Sequence, residues 1–157
     1  MSKAFTSEET ADAPPIVAPR APLPGGVPNY VTARGLARLR DELMALRTLG
    51  LEPAAFAQRR AELEERIASA ELVAPPAAPT DVVRFGALVT VRGEKGERRH
   101  RIVGVDEADP AHGRIAFVSP LARALLGRAV GDTILLRAPR GDEELEITAV
   151  GYDADTD

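Results

Sequence analysis

Apolar residues change their spacing once along this chain, and the change separates two kinds of structure. Leu36, Leu39, Leu43 and Leu46 recur at helical spacing and form one seam, while Arg34, Arg38, Arg40, Asp41, Glu42 and Arg47 fall on the other faces. Helical periodicity begins at Tyr30-Val31-Thr32, where the Thr32 hydroxyl is suited to accept from a first-turn amide. Gly50 suits a left-handed helix end, and Pro53 suits the first position of a second helix running to Leu72. Phe56, Leu63, Ile67 and Ala70 of that helix face the first. So short a connection predicts an antiparallel helical hairpin, a short coiled coil, over 30–74. An arm of about 18 residues reaches roughly 27 Å.

Beyond residue 80 the pattern becomes strand-like. The predicted strands are Val82–Phe85, Ala87–Arg92, Glu97–Val105, Arg114–Val118, Asp132–Arg137 and Glu143–Tyr152. Gly93-Glu94-Lys95-Gly96 and Pro139-Arg140-Gly141-Asp142 read as turns between neighbouring strands. One short helix is expected from Ser119 to Leu126, with Ser119 as cap, Pro120 at its first position and Gly127 closing it. The fold class is α+β: a helical hairpin followed by an antiparallel β domain over 80–157 with a single helix. Pro75-Pro76-Ala77-Ala78-Pro79 predicts a stiff linker between them. Prolines at 14, 15, 19, 22, 24 and 28 make residues 1–29 a disordered tail by the same reasoning.

Composition narrows the function. The 157 residues carry 24 acidic and 20 basic side chains, a net charge of −4 that gives no general attraction to nucleic acid. With no cysteine there is no disulfide framework, thiol nucleophile or cysteine metal site, which fits a reducing cytoplasm. His100 and His112 are the only histidines, both in loop or strand-edge contexts, and neither points to a metal or a catalytic base. No apolar run is long enough to span a membrane, and no signal peptide is recognisable. Arg98, Arg99, His100 and Arg101 form a basic run, but alternation divides them between two faces of a strand. No strong direct nucleic-acid binding is expected, and the chain is expected to be a monomer.

Residues 101–141 supply the most specific pattern: D-E-A-D, then S-P-L-A-R-A-L-L-G, then G-D, then R-x-P-x-G. V-x-F-G-A-x-V-T precedes them from Val83, and Val150-Gly151-Tyr152 follows. A capped helix covering a sheet explains the central run by packing alone, but these short motifs stand in one order over about seventy residues. In that order they resemble the C-terminal domain of the bacterial Gre transcript-cleavage factors. Y-V-T-A-R-G-L-A-R-L-R-D-E-L resembles the Gre N-terminal helix, and Met1-Ser2-Lys3-Ala4-Phe5-Thr6 resembles the start of some GreB-type proteins. The resemblance implies an FKBP-like C-terminal domain docking at the rim of the RNA polymerase secondary channel. By position, the implied docking residues are Asp109, Val118, Ser119, Pro120 and Arg123.

The hairpin tip departs from that family. Gre hairpins are longer and carry paired carboxylates at the tip, which help hold a catalytic Mg²⁺; such a hard cation needs converging oxygen ligands. Here the turn is Thr48-Leu49-Gly50-Leu51-Glu52-Pro53, and Glu52 is its only carboxylate. Glu62, Glu64 and Glu65 alternate with Arg59, Arg60 and Arg66 and read as charge pairs on a helix face. The expectation is a polymerase-binding factor with no catalytic residue, no metal and no cofactor, which modulates or competes rather than stimulating cleavage. Two alternatives stay open: a GreB-type cleavage factor with an altered tip, and an Rnk-type regulator of nucleoside diphosphate kinase, whose hairpin is similarly brief. An FKBP-like domain also raises prolyl isomerase activity, for which Phe85, Phe117 and Tyr152 are the available aromatics; an apolar core accounts for them equally.

Overall fold

The computed structural model describes residues 20–48 and 54–153. Two helices, α1 (Ala33–Thr48) and α2 (Ala54–Ser69), pack through Leu39, Leu43 and Leu63, which are buried, with Leu46 and Ile67 against them. This is the expected seam. Thr32 caps α1 as its side chain suggests: the Gly35 amide donates to Thr32 Oγ1 at 3.0 Å, and the Leu36 amide to the Thr32 carbonyl at 3.0 Å. Each helix has 16 residues, so at about 1.5 Å per residue the arms are about 24 Å long.

The base of the hairpin differs from expectation. Helix does not begin at Tyr30 and does not continue to Leu72. Asn29–Val31 form strand β1 and Ala70–Leu72 form β2, paired in parallel with Asn29 opposite Ala70 and Val31 opposite Leu72. The Asn29 side-chain amide donates to the Arg66 carbonyl at 2.9 Å and to Ser69 Oγ at 3.1 Å, which satisfies the end of α2 where the chain leaves the helix. This pairing joins positions some forty residues apart, which no local periodicity reports.

The C-terminal sheet has the order β5-β4-β3-β7-β6: β3 (Leu88–Gly93), β4 (Gly96–Val103), β5 (Arg114–Ala116), β6 (Thr133–Leu136) and β7 (Glu143–Gly151). All neighbours are antiparallel except β4 and β5, which pair in parallel over three residues at the sheet margin. Val89, Val91, Ile102, Ile134, Leu145 and Ile147 point into one core, closed by Ala122 and Leu125 of α3 (Pro120–Leu125). The glycine turns form as expected, with φ of +101° at Gly96 and +124° at Gly141.

The strand expected over Val82–Phe85 is not formed; Val82 makes only an isolated bridge with Ala129. Its backbone groups are taken by a loop and a side chain instead. The Val83 amide donates to the Arg128 carbonyl, the Gly127 amide to the Val83 carbonyl, and the Tyr152 hydroxyl accepts from the Arg84 amide at 2.9 Å while donating to the Val82 carbonyl. The Pro-rich stretch before the hairpin also contributes structure, since Arg20 and Ala21 contact both parts of the molecule.

Candidate functional site: the α3 corner and the interdomain joint

The residues implied as a docking surface lie at the two ends of β5. Asp109 stands before it: its amide donates to the Arg114 carbonyl at 2.8 Å, and its carboxylate meets His112 Nδ1 at 2.7 Å. Val118 and Ser119 follow β5 and are half-buried, while Pro120 and Arg123 are exposed. Residues 110–117, with the Pro110–His112 turn and β5, separate the two groups in the chain. Ser119 is the cap of α3, its Oγ accepting from the Ala122 amide at 3.3 Å, and Pro120 occupies the first helical position. Gly127, with φ of +83°, follows the helix as its left-handed terminator. The corner is therefore rigid, with Ala122 and Leu125 anchored at 0% exposure and Pro120 and Arg123 facing solvent.

The tip residues Leu49, Gly50, Leu51 and Glu52 lie outside the described residues, as do Pro53 and the Met1–Thr6 segment. The carboxylates behind the tip take part in more than pairs along one helix. Glu64 meets Arg60 at 4.0 Å within α2, but also Arg47 of α1 at 3.3 Å. Glu62 accepts from Gln58 at 3.2 Å and from the Arg20 amide at 3.1 Å. The Arg20 amide, followed by burial acting in the opposite sense, leaves the Glu62 carboxyl below its ordinary value. No cluster of three metal-ligating side chains occurs among the described residues.

Between the hairpin and the sheet lies a set of contacts that sequence patterning did not reveal. The turn Val105–Glu107, the D-E of the D-E-A-D run, inserts its carboxylates into the hairpin base. Glu107 is 5% exposed; it accepts from Thr32 Oγ1 at 2.5 Å and from Arg34 Nη1 at 3.1 Å. It thus lies at the amino end of α1, where the free amides and the helix dipole favour an anion. Asp106 accepts from Arg66 Nη1 at 3.0 Å and from Arg20 Nη1 at 2.8 Å. Gly104 permits the approach: a Cβ there would stand 2.4 Å from the Tyr30 carbonyl oxygen. Beside it, Tyr30, Phe85 and Phe117 form an aromatic cluster with ring centroids 5.3 to 5.8 Å apart. The two phenylalanines are thereby engaged with the hairpin base, and Tyr152 lies outside this cluster, bonded to the 82–84 backbone.

The basic run is also largely engaged. Arg98 meets Glu143 at 2.6 Å, and Arg101 donates to the Gly86 carbonyl at 3.1 Å and the Asp153 carbonyl at 3.3 Å. Strand β4 is flanked by β3 and β5, although β5 covers only Arg101–Val103. His100 is half-buried with no side-chain hydrogen-bond partner among the described residues, and burial, then the nearby Arg98 charge, lowers its pKa from about 6.5. No helix among the described residues is long and apolar enough to cross a membrane.

Comparison with known proteins finds relatives of the C-terminal part of the chain. Residues 78–152 match the family model of the C-terminal domain of the transcription elongation factors GreA and GreB. Over 96 residues the chain is 46% identical to transcription elongation factor GreA of Acidiphilium cryptum strain JF-5, covering 60% of this chain and 61% of that one. It is 45% identical over 96 residues to GreA of Anaeromyxobacter sp. strain K, covering 60% and 58%. The match thus spans about three-fifths of the length of these curated relatives. Among solved structures, the prokaryotic transcription elongation factor GreA/GreB from Nitrosomonas europaea is 28% identical, covering 78% of this chain and 98% of that one, with a TM-score of 0.44.

Proposed function

The chain belongs to the Gre family through its GreA/GreB C-terminal domain, and on that premise we propose that it binds bacterial RNA polymerase at the secondary-channel rim without stimulating transcript cleavage. The observation that carries the binding half is the continuous family match over 78–152, which contains the whole α3 corner with Pro120 and Arg123 exposed. Polymerase contact is assigned to Asp109, Val118, Ser119, Pro120 and Arg123, and the partner's surface must complement an exposed proline beside a guanidinium.

The second half rests on the tip. Between Thr48 and Pro53 the sequence offers Glu52 as its single carboxylate, and one carboxylate is a poor substitute for a pair positioning Mg²⁺. Arms of 16 residues, about 24 Å by helical rise, give a short reach toward the polymerase active centre. The chain in this reading is a transcription factor and not itself an enzyme: it occupies the docking place of a longer relative and withholds that relative's chemistry. Competition then follows mass action, with inhibition set by the ratio of concentrations weighted by affinities.

Titration of labelled protein into core RNA polymerase tests the binding half. Saturable binding that weakens in Arg123→Glu supports the reading. Binding that is absent, or indifferent to both Arg123→Glu and Pro120→Ala, removes the docking surface and leaves a partner such as a nucleoside diphosphate kinase to be tested.

A further inference from the structure

Residues 20 and 21 occupy a built cleft between the hairpin and the C-terminal domain. Arg20 Nη2 donates to Glu42 of α1 at 2.7 Å, Arg20 Nη1 to Asp106 of the sheet domain at 2.8 Å, and the Arg20 amide to Glu62 of α2 at 3.1 Å. Arg66 of α2 donates back to the Ala21 carbonyl. One short segment therefore holds both helices and the opposing domain together. The groups are withdrawn from solvent: side-chain exposure is 12% for Arg20, 7% for Asp106 and 9% for Arg66.

Arg20 supplies one of the cations that offset the carboxylates of this cleft. Glu42, Glu62 and Asp106 face it, and Arg59 and Arg66 are the cations of α2 that pair with them, Arg59 at 2.6 Å from Glu42 and Arg66 at 3.0 Å from Asp106. Asp106 has one guanidinium on each oxygen, Arg20 on Oδ1 and Arg66 on Oδ2. Removing Arg20 frees one oxygen of a nearly buried carboxylate and one of Glu42, and such groups then draw in water or another cation. A guanidinium suits this place because its fan of N–H donors reaches two carboxylates at once.

We propose that the segment at Arg20-Ala21 is a strap that fixes the angle between the helical hairpin and the C-terminal domain. Where the hairpin tip points is then set by the N-terminal segment as well as by the Glu107 joint. The strap is a property of the chain alone and stands whether or not polymerase is the partner.

The chain contains no cysteine, so a labelled pair can be introduced without background. Met44→Cys on α1 and Leu135→Cys on β6, at 68% and 52% exposure, carry spin labels on the two bodies. Pulsed electron–electron distance measurement on the full chain is expected to give one narrow distribution. Arg20→Ala is expected to broaden it and shift population to other distances, with circular dichroism unchanged, and Arg20→Lys to broaden it less. An Arg20→Ala distribution superimposable on the parent overturns the strap. Should Arg20→Ala fail to fold, Glu42→Gln weakens the Arg20 contact to α1 together with the Arg59–Glu42 pair, and Arg59→Gln serves as the control for that pair alone; broadening in Glu42→Gln beyond that of Arg59→Gln supports the proposal, and a distribution no broader than the control's overturns it. Arg123→Glu, outside the cleft, is the control expected to leave the distances unaltered.

Discussion

Thr32 and Glu107 share a single hydroxyl group between two tasks: Thr32 Oγ1 accepts from the Gly35 amide at 3.0 Å to cap α1, and donates to the Glu107 carboxylate at 2.5 Å to hold the C-terminal domain. The hydroxyl has one proton to give and lone pairs to receive, so both bonds are satisfied at once. The cap of the first helix is therefore also the joint between the two parts of the molecule. Glu107→Gln keeps the shape but removes the charge facing Arg34 and the helix dipole. It is expected to lower stability by about 1–3 kcal/mol, read as a fall in the urea midpoint. An unchanged midpoint would mean that this carboxylate contributes nothing net.

Gly35 offers a sharper test, because two effects oppose each other. Alanine is favoured over glycine in a helix by up to about 1 kcal/mol, an advantage that is smaller in the first turn where Gly35 lies, but a Cβ at Gly35 would stand 2.7 Å from Glu107 Oε2. The clash is expected to win, so Gly35→Ala destabilises the parent. In a Glu107→Ala background the obstacle is gone, and the same change is expected to stabilise. This reversal of sign in a double-mutant cycle, measured by chemical denaturation, identifies the contact directly.

Tyr152 closes the expected strand that did not form. Its hydroxyl serves both the Arg84 amide and the Val82 carbonyl, and Tyr152→Phe is expected to cost about 1–2 kcal/mol. Burial raises its pKa above 10, partly offset by the Arg84 amide bond and the Arg84 charge. The neutral phenol is the form the folded state prefers. Its contribution is therefore complete below pH 10 and is lost as pH rises through the higher folded value. Alkaline unfolding followed in the Phe variant should show a shallower decline in that window.

His100 has the opposite dependence. Burial lowers its pKa from about 6.5, so the unfolded chain takes up the proton first and stability falls as pH drops below 6.5 toward the folded value. His100→Asn is expected to flatten that part of the stability profile; an identical slope in the variant would show that other groups govern acid sensitivity.

Much of this fold is legible from local pattern. The Leu39–Leu43 and Leu63–Ile67 stripes, the Thr32 and Ser119 caps, and the Gly96 and Gly141 turns are each set by side chains within a few positions of one another. What sequence reading missed is non-local. The β1–β2 pairing joins Asn29 to Ala70, and the strand expected at Val82–Phe85 is replaced by bonds to residues 127–129 and to Tyr152. The joint itself leaves one faint trace in the sequence: Asp106 and Glu107 open the D-E-A-D run, and Gly104, which admits the Tyr30 carbonyl, precedes the Val105–Glu107 turn. Helix α3 forms with Ser119 as its cap, as its sequence indicates, and that cap has a consequence for mutagenesis. Ser119→Glu disturbs the α3 cap, worth about 1 kcal/mol, so it does not cleanly separate binding from folding; Arg123→Glu, on an exposed residue, does.

Occupancy of the polymerase docking place and the lack of stimulated cleavage are both read by one assay. A backtracked complex of core RNA polymerase is supplied with a cleavage-competent GreA at fixed concentration and titrated with this protein. GreA-dependent RNA shortening is expected to fall with increasing protein, in proportion to the affinity-weighted concentration ratio, to recover when Arg123→Glu is substituted, and never to rise with this protein alone. RNA shortening by this protein alone above the polymerase's own rate, abolished by Glu52→Ala, would show it to be a cleavage factor, and GreA activity untouched at saturating protein would show that the two do not share a site.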